Sequence, residues 1–340
     1  MCDKIVKMGV IGVGLQGEGH VKCFQAMHNA RVVAVADIDE AKAKDKAAKY
    51  GVPLHFTDYR QMLRDTDLDG VSVVTPDHLH LEPALAVLAA RKHMLIEKPL
   101  ATTVADGEAI AAAARKAGVK AMINLSNRFQ TSLQDTKTRF ERGELGKPVY
   151  AYTRLNNTLY VPLQMLKPWS RHTKLPFWLL SHTIDRVRWL WGSDAKRVYA
   201  VAHSGILAAM GVDTPDLYVA TVEFENGATG VFETCWILPE KSPMVVDSYM
   251  ELIYTQSCVK IDAQQTGITV ATKDAFTFPA TLTGTVMGHP VGFVAESLRH
   301  FVECILEDKP PTITMDDGLA VCKISAAIVE SAQTRQPVDL

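Results

Sequence analysis

The chain has 340 residues, of which 47% are hydrophobic and 22% are charged, and its formal net charge is -2. This length allows two domains with separate cores, and the composition is that of an ordinary globular protein. The near-neutral charge excludes the electrostatic signature of a protein that binds nucleic acid or anionic membranes. No apolar run approaches the ~18 residues that a membrane span requires, which excludes a transmembrane helix.

The N-terminal residues lead directly into the first predicted strand, without the pattern of a secretory signal peptide. Six cysteines are scattered along the chain and form no CxxC pair. We therefore expect reduced thiols in a cytoplasmic protein, with neither a disulfide framework nor a metal site. The expected partner is a small molecule, not nucleic acid or a membrane.

The first elements in chain order form a strand, a turn, a helix and a second strand. The first strand is predicted over Ile5 to Ile11 and ends in Gly12-Val13-Gly14-Leu15-Gln16-Gly17. A helix over Glu18 to His28 and a strand over Arg31 to Ala36 follow, and Asp37 stands directly after that strand. Strand, helix and acid at this spacing predict a dinucleotide-binding unit. The alternative is a structural βαβ turn without a ligand.

The glycine-rich turn has a physical explanation in this interpretation. Gly12 permits a tight turn, Gly14 lets backbone N–H groups approach a pyrophosphate, and Gly17 lets the helix pack closely on the strand. Leu15 and Gln16 lie between these glycines, ahead of a helix whose N-terminus adds partial positive charge. All five residues are predicted to contact the cofactor.

Asp37 indicates which dinucleotide binds. A carboxylate there accepts hydrogen bonds from a ribose 2′-hydroxyl and repels a 2′-phosphate. Ile38 follows as a further predicted cofactor contact, and Asp39 and Glu40 make the local field acidic. Lys42 is interpreted as part of a solvated helix face. The sequence therefore favours NAD over NADP.

The alternation of strands and helices continues to about residue 125. Apolar, β-branched runs predict strands over Val71 to Thr75, His93 to Glu97 and Val119 to Leu125. Helices are predicted over Leu81 to Arg91 and over the alanine-rich segment Ala105 to Ala117. Such repetition with short connections is typical of a doubly wound parallel sheet. We predict an α/β fold with an N-terminal Rossmann domain over residues 1–125.

Beyond Asn127 the pattern changes to period-two strands. A helix over Thr131 to Arg142 precedes strands predicted over Val149 to Arg154, Arg197 to Ala202, Leu217 to Phe224, Thr229 to Trp236, Met250 to Ile253, Cys258 to Ile261 and Gly267 to Ala271. Glu225-Asn226-Gly227-Ala228 joins two of them, and Asn-Gly is expected to supply the positive φ angles of a tight hairpin.

Residues 126–340 are therefore predicted to form a substrate-binding and oligomerisation α+β domain with a large, mostly antiparallel open sheet. Two closing helices, over Phe293 to Leu306 and Asp317 to Ala332, could pack back on the first domain. Strands such as Leu217 to Val222 leave few polar residues to solvate the open face. We therefore expect a homodimer or homotetramer.

Glu97-Lys98-Pro99 follows a strand at the edge where Rossmann sheets bind ligands. A lysine close to an oxidised nicotinamide meets positive charge and partial desolvation, and both favour its neutral form. Lys98 could therefore take or relay a hydroxyl proton. The alternative is a strand-end lysine paired with its neighbour Glu97.

The motifs taken together resemble those of the Gfo/Idh/MocA oxidoreductases over nearly the whole chain. Besides the glycine turn and Asp37, the resemblance rests on Thr75-Pro76-Asp77-His78-Leu79-His80, Glu97-Lys98-Pro99-Leu100, Asn127-Arg128-Phe129, Gly143 to Pro148, and His182-Thr183-Ile184-Asp185. Members of this family oxidise or reduce sugars, polyols and related molecules with NAD or NADP.

The resemblance implies a role for each matching residue. Lys98 would be the catalytic lysine and His182 the second acid/base, whose ordinary pKa near 6.5 suits proton transfer at neutral pH. The implied cofactor contacts beyond the glycine turn are Thr75, Pro76, His80, Glu97, Lys98 and Asn127. The predicted substrate contacts are Lys98, Arg128, Trp169, Trp178, His182 and Asp185.

Two positions depart from the family pattern. Many members carry an Asp four residues before the histidine, where this chain has Trp178, and Asp77 replaces the Asn usual after Thr-Pro. Trp178 could provide an apolar wall for a substrate ring, as could Trp169 in a loop rich in cations. Asp185, at i+3 from His182, cannot simply replace the absent carboxylate.

The expected activity is hydride transfer between nicotinamide and a hydroxyl or keto carbon of a sugar, polyol or sugar derivative. Two alternatives stay open at this point. One is an enzyme that cleaves glycosides by oxidation, elimination and re-reduction while retaining NAD. The other is a non-catalytic NAD-binding ligand sensor, which Trp178 in place of Asp would permit.

Overall fold

The computed structural model describes residues 4–167, 169–265, 267–279 and 281–340. It divides into two compact units, one running up to Phe129 together with Thr283–Leu319, and the other comprising Gln130–Leu282 and Ala320–Leu340. Within the described residues, no helix is both long enough and apolar enough to cross a membrane.

The first unit contains a six-stranded sheet in which every strand is parallel to its neighbours. Its elements up to the domain junction are β1 (Val6–Ile11), α1 (Leu15–Gln25), β2 (Ala30–Ala36), α2 (Glu40–Tyr50), β3 (Leu54–Phe56), α3 (Tyr59–Asp65), β4 (Gly70–Val73), α4 (Leu81–Ala89), β5 (His93–Ile96), α5 (Val104–Ala117) and β6 (Ala121–Ile123). The strand order is β3-β2-β1-β4-β5-β6. This order reverses direction between β1 and β4, which opens a ligand crevice at the carboxyl ends of these strands.

Local sequence explains how the helices of this unit begin. Asp39 caps α2 by accepting a hydrogen bond from the backbone N–H of Lys42 at 3.0 Å. Thr103 caps α5 by accepting from the N–H of Asp106 at 3.1 Å. By contrast, α1 has Gly14 at its N-cap and no side-chain cap. Its first N–H groups are therefore available to another acceptor.

The second unit contains a seven-stranded mixed sheet in the order β12-β11-β7-β10-β9-β8-β17. Its elements are α6 (Thr131–Glu141), β7 (Pro148–Asn157), α7 (Ser181–Trp191), β8 (Ala195–His203), α8 (Ile206–Ala209), β9 (Leu217–Phe224), β10 (Thr229–Cys235), β11 (Val246–Tyr254), β12 (Cys258–Asp262), β13 (Val270–Ala271), β14 (Phe276–Thr277) and β17 (Val338–Asp339). The β7–β10 pair is parallel, whereas the other pairs of this sheet are antiparallel.

The remaining elements return to the first unit. They are β15 (Thr283–Val286), β16 (His289–Gly292) and α9 (Phe293–Leu306), followed by α10 (Met315–Thr334), whose residues are divided between the two units. The predicted fold class, a Rossmann parallel sheet plus an α+β part with a mostly antiparallel sheet, is confirmed.

Two local predictions in the second unit are corrected. The β9–β10 hairpin forms, but Gly227 alone in its turn has a positive φ, +84°, while Asn226 accepts a hydrogen bond from the N–H of Ala228 at 3.0 Å. The strand predicted over Gly267 to Ala271 is wrong in extent. Only Val270–Ala271 is extended, and it pairs with β14 in a separate two-stranded sheet.

The core of the second unit lies on one face of its sheet. Alternate residues of each strand point into it, and helix α7 contributes a buried side. Its largest fully buried side chains include Trp236, Phe224 and Phe232. The other face carries half-buried polar and aromatic residues, among them the Arg154–Asp247 ion pair at 2.7 Å.

Candidate active site

The glycine-rich turn has the shape that a dinucleotide requires. Gly12 has φ +86°, and a Cβ atom there would lie 2.5 Å from the carbonyl oxygen of Val74. A Cβ at Gly17 would lie 1.9 Å from the carbonyl oxygen of Gly12. Neither position can hold a side chain without moving backbone.

Gly14 differs from these two glycines because a Cβ there would meet no described atom within 4 Å. Its φ of -65° is open to any residue, so neither packing nor backbone conformation accounts for glycine at this position. A ligand that approaches the uncapped N-terminus of α1 does account for it. The turn therefore fits the pyrophosphate of a dinucleotide.

Asp37 is oriented toward the same turn. Its Oδ2 accepts a hydrogen bond from the N–H of Val13 at 3.0 Å, and its Oδ1 accepts from the N–H of Asp39 at 3.0 Å. Each carboxylate oxygen retains a second acceptor position for a ribose hydroxyl. Lys42 was interpreted as part of a solvated helix face, but its Nζ lies 3.6 Å from Oδ1 of Asp37.

Two of the predicted cofactor contacts present apolar surface to solvent. Leu15 is 69% exposed and Ile38 is 92% exposed, and Gln16 is exposed beside Leu15. Exposed aliphatic side chains next to the glycine turn and Asp37 suit the flat face of a nucleotide base. Their contact with a cofactor remains a prediction.

Lys98 follows β5 at the carboxyl edge of the sheet, next to a cis Lys98–Pro99 peptide bond. The residue is half-buried. Burial lowers the pKa of the Lys98 amine to about 8, although the carboxylates of Glu97 and Asp77 act in the opposite direction. The predicted desolvation of this lysine is therefore present in the folded chain.

Glu97 is held by several donors. Its Oε1 lies 3.0 Å from Nε2 of His20 and accepts from Nδ2 of Asn124 at 2.6 Å. Its Oε2 accepts from the backbone N–H of Lys98 at 3.1 Å. Burial alone would raise the pKa of Glu97, but the bonds from His20 and Asn124, together with the charge of Lys98, hold it below its ordinary value.

The network around Glu97 extends through residues that the sequence reasoning missed. The Nδ1 atom of His20 lies 2.8 Å from Oγ of Ser72, and Oγ of Ser297 donates to Oδ1 of Asn124 at 2.6 Å. Because a carboxylate only accepts, His20 donates from Nε2 to Glu97. The sequence did contain one indication of this network, because the polar residues Ser72 and Asn124 stand inside or beside buried strands.

His80 connects the loop after β4 to the loop after β5. Its Nδ1 lies 2.8 Å from the carbonyl oxygen of Pro99, and its Nε2 lies 3.1 Å from that of Thr75. The ring is buried, which lowers its pKa. His80 thus holds Thr75 and the half-buried Pro76 near Pro99, which follows Lys98.

Asn127 and Arg128 lie in a short 3-10 turn, Ser126–Phe129, and both are buried. The guanidinium of Arg128 donates to Oδ1 of Asp317 at 3.0 Å, with only 6% of the Arg128 side chain exposed. This ion pair gives Arg128 a structural function within the first unit. Its contact with substrate, like the cofactor contact of Asn127, remains a prediction.

The other predicted substrate residues lie in the second unit. His182 is the second residue of α7 and is half-buried. The segment before it, Pro176–Leu180, is a π-helical turn, so the α-helical spacing assumed between Trp178 and His182 is wrong. Asp185 is buried, and its charge raises the pKa of Arg186, which burial lowers to about 10.

Trp178 and Trp169, which the sequence suggested separately as surfaces for a substrate ring, lie side by side. Their rings are 5.2 Å apart between centroids and 75° apart in plane, which is an edge-to-face pair. Both are partly buried against the core of the second unit. The pair presents an aromatic surface where the family pattern has a carboxylate.

Comparison with known proteins agrees with this geometry. Residues 6–125 match the Gfo/Idh/MocA oxidoreductase family, NAD-binding Rossmann fold, and residues 137–340 match the C-terminal alpha/beta domain of the same family. Together these matches cover most of the chain, so it belongs to this family of NAD-binding oxidoreductases. The prediction of a dehydrogenase that uses NAD and acts on CH–OH groups is confirmed at this level.

Two relatives and one solved structure are similar to this chain over nearly its whole length. A scyllo-inositol 2-dehydrogenase (NAD(+)) of Bacillus subtilis (strain 168) is 26% identical over 98% of this chain and 96% of its own. A myo-inositol 2-dehydrogenase of Thermotoga maritima is 23% identical over 98% of both chains. The structure of scyllo-inositol dehydrogenase from Lactobacillus casei, with bound NAD(H) and scyllo-inositol, superposes with a TM-score of 0.85, at 21% identity over 99% of both chains.

Proposed function

We propose that this chain is an NAD-dependent dehydrogenase of a cyclic polyol or a closely related sugar, with Lys98 as its proton-transferring residue. The observation that carries the proposal is a desolvated lysine, with a pKa of about 8, at the ligand-binding edge of a sheet whose glycine turn fits a dinucleotide. The inositol dehydrogenases among its relatives supply the substrate class.

Different groups of the first unit would bind different parts of the dinucleotide. The N-terminus of α1 and the turn at Gly14 would hold the pyrophosphate, and Asp37 would accept from the ribose hydroxyls. When bound, NAD supplies the hydride acceptor in oxidation, and NADH supplies the donor in reduction. Discrimination against NADP rests on the Asp37 carboxylate, although Lys42 at 3.6 Å reduces its repulsion of a phosphate.

Lys98 performs the proton step. In oxidation its neutral amine takes the proton from the substrate hydroxyl, and in reduction its ammonium gives a proton to the carbonyl oxygen. The hydrogen bond from its backbone N–H to Glu97 fixes the position from which the side chain extends. His182 is the second acid/base that the family resemblance assigns, and Trp178 with Trp169 offers an apolar face to a ring.

A substrate panel separates this activity from the two alternatives. Purified protein is mixed with NAD or NADP and with scyllo-inositol, myo-inositol, hexoses or aryl glycosides, and the absorbance of reduced cofactor is followed. We expect NADH to accumulate with at least one polyol or sugar, and more slowly with NADP. Release of the aryl group without net NADH would instead indicate glycoside cleavage, and binding without turnover would indicate a sensor.

We also infer a homo-oligomer in the cytoplasm. The open face of the second sheet carries Tyr152, Arg154 and Tyr249, and tyrosine and arginine are enriched at protein interfaces. It is more polar than β9 alone suggested, since Tyr152 donates to Glu233 at 2.6 Å. Free thiols at Cys23, Cys235, Cys258, Cys304 and Cys322 suit a reducing compartment.

A further inference from the structure

The loop after β4 holds a buried carboxylate that the family resemblance does not provide. Asp77 begins a short 3-10 turn, Asp77–Leu79, and its side chain is 1% exposed. Its Oδ1 accepts from the backbone N–H of His78 at 2.7 Å and lies 3.5 Å from Nδ1 of the same residue. A buried carboxylate costs desolvation energy, so its retention needs compensating groups nearby.

The backbone brings this loop beside the one that carries Lys98. Strands β4 and β5 are parallel neighbours, with Val73 in register with Ile96, and the N–H of Glu97 donates to the carbonyl oxygen of Val73 at 2.9 Å. Beyond the strand ends, the buried ring of His80 lies between the carbonyl oxygens of Thr75 and Pro99. The two loops are therefore tied together immediately around Asp77 and Lys98.

Two carboxylates act on the charge of the Lys98 amine. Burial lowers the pKa of its amine, and the carboxylates of Glu97 and Asp77 are the two charged groups that raise it. Glu97 already accepts from His20 and Asn124, which spreads its charge over those donors. Asp77 Oδ1 lies 3.5 Å from Nδ1 of His78, and its charge opposes the lowering of the His80 pKa by burial.

We propose that Asp77 is a positioning residue of the lysine site, whose buried carboxylate balances the Lys98 ammonium and so sets the pH range in which each direction of the reaction runs. The proposal rests on the proposed function of Lys98. In oxidation the substrate C–H bond gives its hydride to NAD and the O–H bond gives its proton to Lys98 Nζ, leaving a carbonyl. In reduction both transfers reverse.

A carboxylate beside Lys98 extends the charged form of the amine to higher pH. Without it the amine would be neutral over more of the neutral range. Oxidation would then reach its plateau at lower pH, and reduction would lose its proton donor at lower pH. Asp77 therefore keeps Lys98 able to donate a proton near neutral pH.

Competitive labelling of lysine amines tests this directly. Acetic anhydride reacts with the neutral amine, so the pH dependence of Lys98 acetylation, read by peptide mass spectrometry on the full-length chain, gives its pKa without any substrate. We expect a value of about 8 in the natural protein. In Asp77→Asn the value should fall by about 1, because an opposite charge is removed while the acceptor for the His78 N–H is kept.

Three variants complete the test. Asp77→Glu keeps the charge and should keep the Lys98 pKa close to the natural value, whereas Asp67→Asn removes an exposed carboxylate, paired with Lys7 at 2.6 Å, and should not change it. If Asp77→Asn does not fold by circular dichroism, Asp77→Ser serves as the neutral variant.

A Lys98 pKa in the neutral variant equal to that in Asp67→Asn would overturn the proposal. Because labelling needs no turnover, that result is distinct from failure of the proposed dehydrogenase activity. Failure of the dehydrogenase activity would appear as no NADH with any substrate of the panel, and failure of the proposed role of Lys98 would appear as full turnover in a protein that lacks Lys98.

Discussion

At the scale of single residues, Lys98 carries most of the proposed chemistry. Lys98→Ala should reduce turnover about 10²-fold or more, because it removes proton transfer and leaves the pyrophosphate cradle intact. NAD affinity, measured by titration calorimetry, should stay within a few-fold. Lys116→Ala, an exposed lysine on α5, is the matched control and should behave like the natural protein.

The pKa of Lys98 also predicts a direction for pH dependence. Since the neutral amine accepts the proton, oxidation should rise as pH increases through about 8, and reduction should decline over the same range. Initial rates in both directions across this range give the measurement. Equal pH profiles for the two directions would show that Lys98 does not transfer the proton.

Substitutions at Gly14 and Gly17 separate the effect of the glycine turn on NAD binding from its effect on fold stability. Gly14→Ala should lower the free energy of unfolding by only about 1 kcal/mol, the cost of alanine at an N-cap, because its Cβ meets no described atom within 4 Å, yet weaken NAD binding about tenfold or more. Gly17→Ala should instead destabilise the fold, since its Cβ would lie 1.9 Å from the Gly12 carbonyl oxygen. Calorimetry and chemical denaturation measure the two effects, and unaltered NAD affinity in Gly14→Ala would contradict this account of the turn.

At the scale of elements, the buried polar network connects α9 to the end of the parallel sheet. Ser297 on α9 donates to Asn124, which donates to Glu97, and all three are largely or fully buried. Ser297→Ala leaves the Asn124 oxygen without this donor and should lower the free energy of unfolding by about 1–3 kcal/mol. Ser132→Ala, at an exposed position of α6, should change it by less than about 0.5 kcal/mol. Equal unfolding free energies for the two variants would mean that the network does not stabilise α9.

Periodicity predicted most elements because their patterns are local. Strand β1, the β9–β10 hairpin and helix α9 each carry their own apolar spacing and turn residues, and the structure has them close to the predicted bounds. The π-helical turn at Pro176–Leu180 was not predictable, since one extra residue in a helical turn leaves the apolar pattern nearly unchanged.

The candidate site likewise divides into residues that a local pattern indicates and residues that only the folded chain brings together. The glycine turn, Asp37 and Lys98 have fixed spacings from a strand, so the sequence alone identified them. His20 contacts residues 52 and 77 positions away, and no local pattern reports such partners. The role of His182 came from the family resemblance, whereas the role of Trp178 was inferred where the chain departs from that pattern, and both roles remain predictions.

At the scale of the whole molecule, assembly follows from the second sheet. Its open face should pair with another subunit and bury more than ~1,000 Å². Light scattering at micromolar concentration should give a mass at least twice 37.4 kDa. Ile253→Glu on this face should reduce the mass, whereas Leu54→Glu, similarly exposed on β3, should not. A natural protein that scatters as a monomer would contradict the predicted interface.

Hydride tracing tests the central claim, that this chain transfers hydride between a ring carbon bearing a hydroxyl and NAD. The protein is incubated with NAD and with an active polyol or sugar from the panel, deuterated at its ring carbons, and the reduced cofactor is examined by mass spectrometry and proton NMR. The account predicts one deuterium at C4 of the nicotinamide, on a single face, with a keto product in equal amount. Reduced cofactor without deuterium, or a deuterated substrate consumed without reduced cofactor, would contradict it.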